Sequence, residues 1–186
     1  KIDWGDNTAV NPGDKKVIGN DTPRFLYGLS FSGIYKDFDF NLFFQGVGKR
    51  DVFIGSMTYF GFQGSKFFTT VHDHNLDYWR EDNQDAFFAR PYATSEVDKN
   101  QQVQSRFIQN GAYLRLKNLQ IGYTLPKHLL QNTGIDRLRF YFSGENLLTF
   151  TKLMDGIDPE ATGGNYGDGK SYPMSLVCSF GVNVSF

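Results

Sequence analysis

The chain has 186 residues and a formal net charge of −1, with 19 Lys and Arg against 20 Asp and Glu. A balance this close to neutral excludes nucleic acid as the expected partner. Nineteen Phe, ten Tyr and twenty Gly sit in a chain of mean hydropathy −0.42 with no run of eighteen apolar residues, which excludes a transmembrane helix. Aromatic-rich, glycine-rich and polar on average is also the composition of a transmembrane β-barrel, where only alternate strand residues meet lipid. The single cysteine, Cys178, permits no intrachain disulfide and reads as a small inert hydrophobe.

Residues 1–23 carry Gly, Pro, Asn and Asp throughout, show no periodicity and read as a loop. Arg24–Tyr35 then alternates, with Phe25, Tyr27, Leu29, Phe31 and Tyr35 on one face and Gly28, Ser30 and Ser32 on the other. After a tight Lys36-Asp37 turn, Phe38, Phe40, Leu42 and Phe44 alternate with Asp39, Asn41 and Gln45, which predicts a hairpin with both apolar faces on one side. Residues 47–105 lack periodicity and hold short aromatic clusters, Phe67-Phe68, Tyr78-Trp79 and Phe87-Phe88, with a short helix conceivable at Asn75–Arg80. A loop of that length is expected to be functional or disordered.

The pattern resumes in a strand expected over 112–125, where Leu119, Ile121, Tyr123 and Leu125 oppose Asn118, Gln120, Gly122 and Thr124. A short connection at 126–136, with one helical turn at 127–131, leads to a strand over 137–147 that sends Leu138, Phe140 and Phe142 one way and Arg139, Tyr141, Ser143 and Glu145 the other. A second long loop, 148–174, is rich in Gly and Asp. The final stretch, 175–186, places Leu176, Cys178, Phe180, Val182, Val184 and Phe186 on one face and ends on that Phe. An outer-membrane barrel ends in this way, its closing strand reaching the periplasmic aromatic girdle, with Ser179, Gly181, Val184 and Phe186 spaced as in the terminal recognition signal of such barrels.

The connections sort by length. The links at 36–37 and 126–136 are short, whereas 48–111 and 148–174 are long. If Phe186 lies at the periplasm, both short links are periplasmic and both long loops external, and Tyr35, Phe38, Tyr123 and Phe186 form an aromatic belt. The polar face, which includes Ser30, Asn41, Gln45, Gln120, Arg139, Tyr141, Glu145 and Asn183, then lines a lumen. Five strands cannot close, and open edges are forbidden in lipid, so the expected fold is an all-β transmembrane antiparallel barrel fragment completed by residues outside this sequence. The start at Lys1, with neither initiator Met nor signal peptide, points to the C-terminal portion of an exported protein.

Several stretches, in this order, carry a family resemblance: KID with VIGNDTPRFLYG, YKDFDFNLFFQGVG, LDYWREDNQDAFFARP, YLRLKNLQIGYTLP, RLRFYFSGENLLTFTK with GIDPE, and the terminal strand. They resemble the SusC/RagA-type TonB-dependent outer-membrane transporters. The resemblance implies the last five strands of a barrel of about 22 strands, with the plug and the N-terminal region upstream. It implies active import of a large nutrient, a glycan oligosaccharide or an oligopeptide, across the bacterial outer membrane. The implied partners are a SusD-like surface lipoprotein, the TonB–ExbB–ExbD motor and outer-membrane lipid. A siderophore or vitamin receptor of the TonB-dependent class, and a soluble carbohydrate-binding β-sandwich, are the alternatives.

In that family the segment before KID often resembles a calcium loop. Its register would put Asp3 and Asp6 among calcium ligands, although an ordinary polar turn reads equally well. Asp155, Asp158 and Glu160 crowd the second long loop as cation or lipoprotein contacts, or as a solvated acidic stretch. His72, Asp73 and His74 would hold a metal only with a ligand from elsewhere, and read more simply as solvated loop. Tyr78 and Trp79, with Phe87 and Phe88, are candidates for stacking on ligand or partner, against packing within their own loop. No nucleophile–base pair and no phosphate loop occurs, so no enzymatic activity is expected.

Overall fold

Five alternating segments become five strands in a computed structural model that describes residues 5–6, 8, 10–61, 71–91, 100–131, 133–163 and 171–186. They are β1 (Arg24–Tyr35), β2 (Phe38–Lys49), β3 (Tyr113–Thr124), β4 (Arg137–Thr151) and β5 (Val177–Ser185). All pair antiparallel in sequence order within one sheet, leaving β1 and β5 as its edges. Lys36 adopts φ +55°, the left-handed conformation that lets β1 return as β2 within two residues. The short connection before β4 contains the expected helical turn, at Lys127–Leu130, with Leu130 buried.

Residues paired directly across antiparallel strands share a face. Phe38, Tyr123, Phe140 and Val182 form one row across β2–β5, and Phe40, Ile121, Phe142 and Phe180 form the next. One step along, the opposite face carries Asp39, Gly122, Tyr141 and Gly181 in one row and Asn41, Gln120, Ser143 and Ser179 in another. The sheet is therefore two-faced. Its apolar side stays open, with Phe180 85% and Val182 52% exposed.

Strand bounds differ from the sequence expectation where pairing outlasts simple alternation. β4 continues past 147 to Thr151 because Leu148 and Phe150 pair with Leu116 and Leu114. β2 continues to Lys49, opposite Arg24. β5 begins at Val177, since the Ser175 carbonyl is used to accept the Asn146 side-chain amide at 3.0 Å. The register shifts between Leu116 and Asn118 in β3, so even positions Leu114 and Leu116 join the apolar face beside odd positions Leu119, Ile121 and Tyr123. That shift changes the parity of the apolar positions between Leu116 and Leu119.

Residues 1–21 and 51–108 form a separate compact unit. It holds a short strand, Asp51–Phe53, a helical turn, Met57–Phe60, and 3-10 turns at Asp73–Leu76 and Ser105–Phe107. The stretch expected to be an irregular loop thus has a core of its own. Ile54 and Phe60 are fully buried, and Phe60 meets Tyr59 and Phe107 edge-on at 5.0 and 5.1 Å between centroids. Such pairs contribute beyond their area. The helix entertained at 75–80 does not form. Trp79 N–H donates to the Phe88 carbonyl and Phe88 N–H to the Asp77 carbonyl, so these backbone groups bridge two chain segments instead of closing helical turns.

Two glycines are required by close approach. At Gly122 a Cβ would collide with the Arg139 guanidinium and with Asp39 Oδ1, and at Gly181 with the Tyr141 ring. Gly122→Val is expected to lower stability by about 1–3 kcal/mol, the usual range for forcing side-chain carbons into a packed site. The thermal unfolding midpoint of the purified full-length protein checks this, and an unchanged midpoint would contradict the packing described.

Candidate functional site

Charged residues on the polar face occur inside strands that are otherwise apolar on alternate positions, and two clusters take in Asp39, Arg115, Lys117 and Arg139. The first spans four strands. Arg139 of β4 reaches across β3 at Gly122 to Asp39 of β2, donating from Nε to Oδ1 at 2.8 Å and from Nη2 to Oδ2 at 2.5 Å. Only a residue without a side chain at Gly122 leaves room for this bidentate pair. The same guanidinium lies 5.2 Å from the Tyr141 ring centroid, and Tyr141 covers Gly181 on β5. One relay of side chains therefore ties β2 to β5 across the polar face.

The second cluster fastens the loop after β4. Arg115 in β3 donates from Nε to Thr149 Oγ1 at 2.8 Å and from Nη2 to Asp158 Oδ1 at 2.7 Å. Asp158 Oδ1 also accepts the Glu160 N–H, and Oδ2 accepts the Met174 N–H at 2.7 Å. Lys117 binds Glu160 Oε2 at 3.0 Å, while Arg115 Nη1 faces Glu160 Oε1 at 3.3 Å as an ion pair without hydrogen-bond alignment. The Arg115 and Asp158 side chains are 3% and 4% exposed. Burial is the largest influence on the Asp158 carboxyl and pushes its pKa up, but Arg115 and the two backbone N–H donors outweigh it and hold the pKa below the ordinary value.

Asp158 and Glu160 thus have partners on the sheet instead of standing in a solvated acidic loop, because Arg115 and Lys117 point at them from β3. Asp155 remains exposed. Asp3 lies outside the described residues. Asp6 is exposed, its N–H donating to the Asn11 carbonyl at 3.0 Å. Among the described residues no group of three or more His, Cys, Asp or Glu could hold a metal. His72 and His74 stack at 5.6 Å, and His74 Nε2–H donates to the Tyr59 carbonyl at 2.8 Å, so the pair is packed on its unit's aromatic core instead of being loop in solvent.

Val184 lies on the apolar face opposite Leu138, and Ser179 on the polar face opposite Ser143. Gly181 sits under Tyr141, and Phe186 follows β5, 87% exposed. Phe88 is core and Phe87 packs on it at 5.0 Å, whereas Trp79 is 37% exposed and lines a cleft with Tyr78. The sequence pointed to Asp158 and Glu160 but not to their partners Arg115 and Lys117. The available signal was a pair of cations, Arg115 and Lys117, between leucines in a strand, which implies acidic partners nearby.

No family model matches this chain. Curated relatives nonetheless align along nearly all of it. A TonB-dependent receptor of Formosa agariphila, P3, is 34% identical over 99% of this chain and 18% of the relative. The TonB-dependent receptor SusC of Bacteroides thetaiotaomicron is 24% identical over all of this chain and 17% of that protein. A solved structure of the RagAB peptide transporter superposes with a TM-score of 0.69 at 30% identity, over 95% of this chain and 18% of the solved one. The chain spans about a fifth of the length of the proteins it matches.

Removing Asp158 leaves Arg115 buried without its main partner, which typically costs about 3–5 kcal/mol. Asp158→Ala is expected to expose residues 152–163 and 171–176 to protease in the folded full-length protein, and unchanged resistance would refute the tether. The pH dependence has a definite sign. A depressed native pKa contributes stability above the unfolded value of about 3.9, and that contribution is lost as pH falls through the native value. Pepsin nicking of this loop should therefore begin only below the ordinary carboxylate range in the wild type, and already be present at higher pH in Asp158→Ala.

Proposed function

From the homology of this chain to a segment of the SusC/RagA-type TonB-dependent receptors, we propose that it supplies the closing wall of an outer-membrane import barrel. Those receptors reside in the bacterial outer membrane and are transporters, not enzymes. The proposed whole is a barrel of about 22 strands, of which β1–β5 are the last five. Its apolar face meets lipid and its polar face lines the lumen. The cargo is a large nutrient, glycan oligosaccharide or oligopeptide, delivered by a SusD-like lipoprotein and drawn inward through TonB.

The observation that carries this reading is the open, continuous apolar face of the sheet. Along β4 that face runs from Leu138 to Phe150. Twelve residues at about 3.3 Å each, tilted by about 40°, cover roughly 30 Å of membrane normal, the thickness of a hydrocarbon core. At the Tyr35/Phe38 end, Phe38 and Tyr123 pack at 4.7 Å beside Tyr35, whose ring lies 5.4 Å from the Lys36 ammonium. Aromatic rings beside a cation at one end of the apolar band are what a membrane–water interface selects. A soluble sandwich would need this face covered, and here it is open.

Phe142 and its neighbour Ser143 lie on opposite faces near the middle of the band. In the full-length protein, Phe142→Arg is expected to cost about 2–4 kcal/mol as a charge facing lipid at mid-depth, and Ser143→Arg much less. The protein should come from membranes only in detergent, migrate as a heat-modifiable band and bring a lipoprotein with it. Equal costs at the two positions, or a detergent-free monomer, would sink the reading.

A further inference from the structure

In the unit formed by residues 1–21 and 51–108, a surface cleft of about 390 Å³ is lined by Tyr78, Trp79, Arg80, Glu81, Arg90 and Pro91. Its frame is built. Asp77 accepts the Phe87 N–H through Oδ2 at 3.1 Å and the Asn83 side-chain amide through Oδ1 at 3.0 Å, contacts that keep its carboxyl below the ordinary pKa, the Asn83 bond first. Arg80 and Asn83 exchange backbone hydrogen bonds at 3.0 and 3.2 Å, which turns the chain tightly and aims the Arg80 side chain back over the Tyr78 ring at 5.1 Å. Asn100 Nδ2 donates to the Arg90 carbonyl at 3.1 Å and holds the second wall.

The lining is more polar than apolar: Tyr78, Trp79 and Pro91 supply its rings, and its charged side chains are mostly donors. Two guanidiniums and an indole N–H stand against one carboxylate, Glu81. Arg80 has Asp82 at 3.4 Å with both side chains exposed, whereas Arg90 makes no ion pair among the described residues. A neutral oligosaccharide, whose hydroxyls both donate and accept, would need more acceptors than this. A planar anion beside an apolar group matches guanidinium and indole together. A polyuronate, carrying a charge on every ring, would meet Glu81 unfavourably. A peptide has one terminal carboxylate and backbone N–H groups that can donate to Glu81.

We propose that this cleft receives the free C-terminus of an oligopeptide, its carboxylate on Arg90 and Arg80 and its last side chain against Trp79 and Pro91. The inference deepens the transport reading and rests on it. The test uses the full-length transporter with its lipoprotein, extracted in detergent and shown to be heat-modifiable, so that failure of the transport reading appears first and separately. Random octapeptides with free C-termini, the same mixture amidated, and a polyuronate oligosaccharide are each offered, and retained ligand is measured by mass spectrometry. Loss of one charge-assisted contact is worth about tenfold in affinity, so free acids should be retained about tenfold more than amides. Arg90→Met should abolish that preference while binding of amides persists, and Arg90→Lys should restore part of it. Equal retention of acids and amides, a preference unchanged in Arg90→Met, stronger retention of the polyuronate, or no peptide bound by a heat-modifiable preparation would each overturn the proposal.

Discussion

Everything in the sheet depends on register. Side chains alternate with a period of two, so a slip of one residue between any pair of strands would exchange Phe142 for Ser143 and Phe180 for Ser179. In the observed register, the two apolar rows through Phe38 and Phe40 and the polar rows through Asp39 and Asn41 stay in phase from β2 to β5. The single register shift in β3 is absorbed by a change of parity in the sequence itself, Leu114 and Leu116 before it and Leu119 and Ile121 after it. A membrane wall needs this consistency, because lipid offers no water to a misplaced polar group.

Long-range polar contacts then hold the register at both ends. Near one end Asp39, Arg139 and Tyr141 link four strands, and glycines at 122 and 181 provide the space in which these larger groups lie flat on the sheet. Near the other, Arg115 and Lys117 draw Asp158 and Glu160 down from the loop after β4. These are buried or half-buried pairs, so their value is directional more than energetic. Breaking one costs much, while the intact pair gains little over an apolar substitute. Their service is to specify which loop lies where.

The unit at residues 1–21 and 51–108 works on a different principle. Its described residues have little regular structure and are held by an aromatic nucleus, with Tyr59, Phe60, Phe88 and Phe107 packed ring against ring and Asn75 buried among them through bonds to the Tyr59 carbonyl and the His72 N–H. Such a nucleus can present a short segment, half-buried at Tyr78 and exposed from Trp79 to Glu81, in one fixed shape. A cleft on a rigid platform binds with less entropic cost than one on a mobile loop.

Strand existence and strand faces were legible in the amino-acid order, because alternation is a local property that antiparallel pairing preserves. The apolar set at Phe38, Phe40, Ile121, Tyr123, Phe140 and Phe142 needed no coordinates to be assigned to one side. The family resemblance was legible for the same reason, being carried by runs such as YKDFDFNLFFQGVG. What the order of residues could not reveal was any contact across long separations: Arg139 with Asp39, Arg115 with Asp158, or Phe60 with Phe107. Those pairings depend on how non-periodic chain closes on itself, and no repeat in the sequence encodes that closure. Tertiary structure alone therefore decided that residues 51–108 have a core, that Asp158 is a buried tether, and that Trp79 faces outward while Phe88 does not.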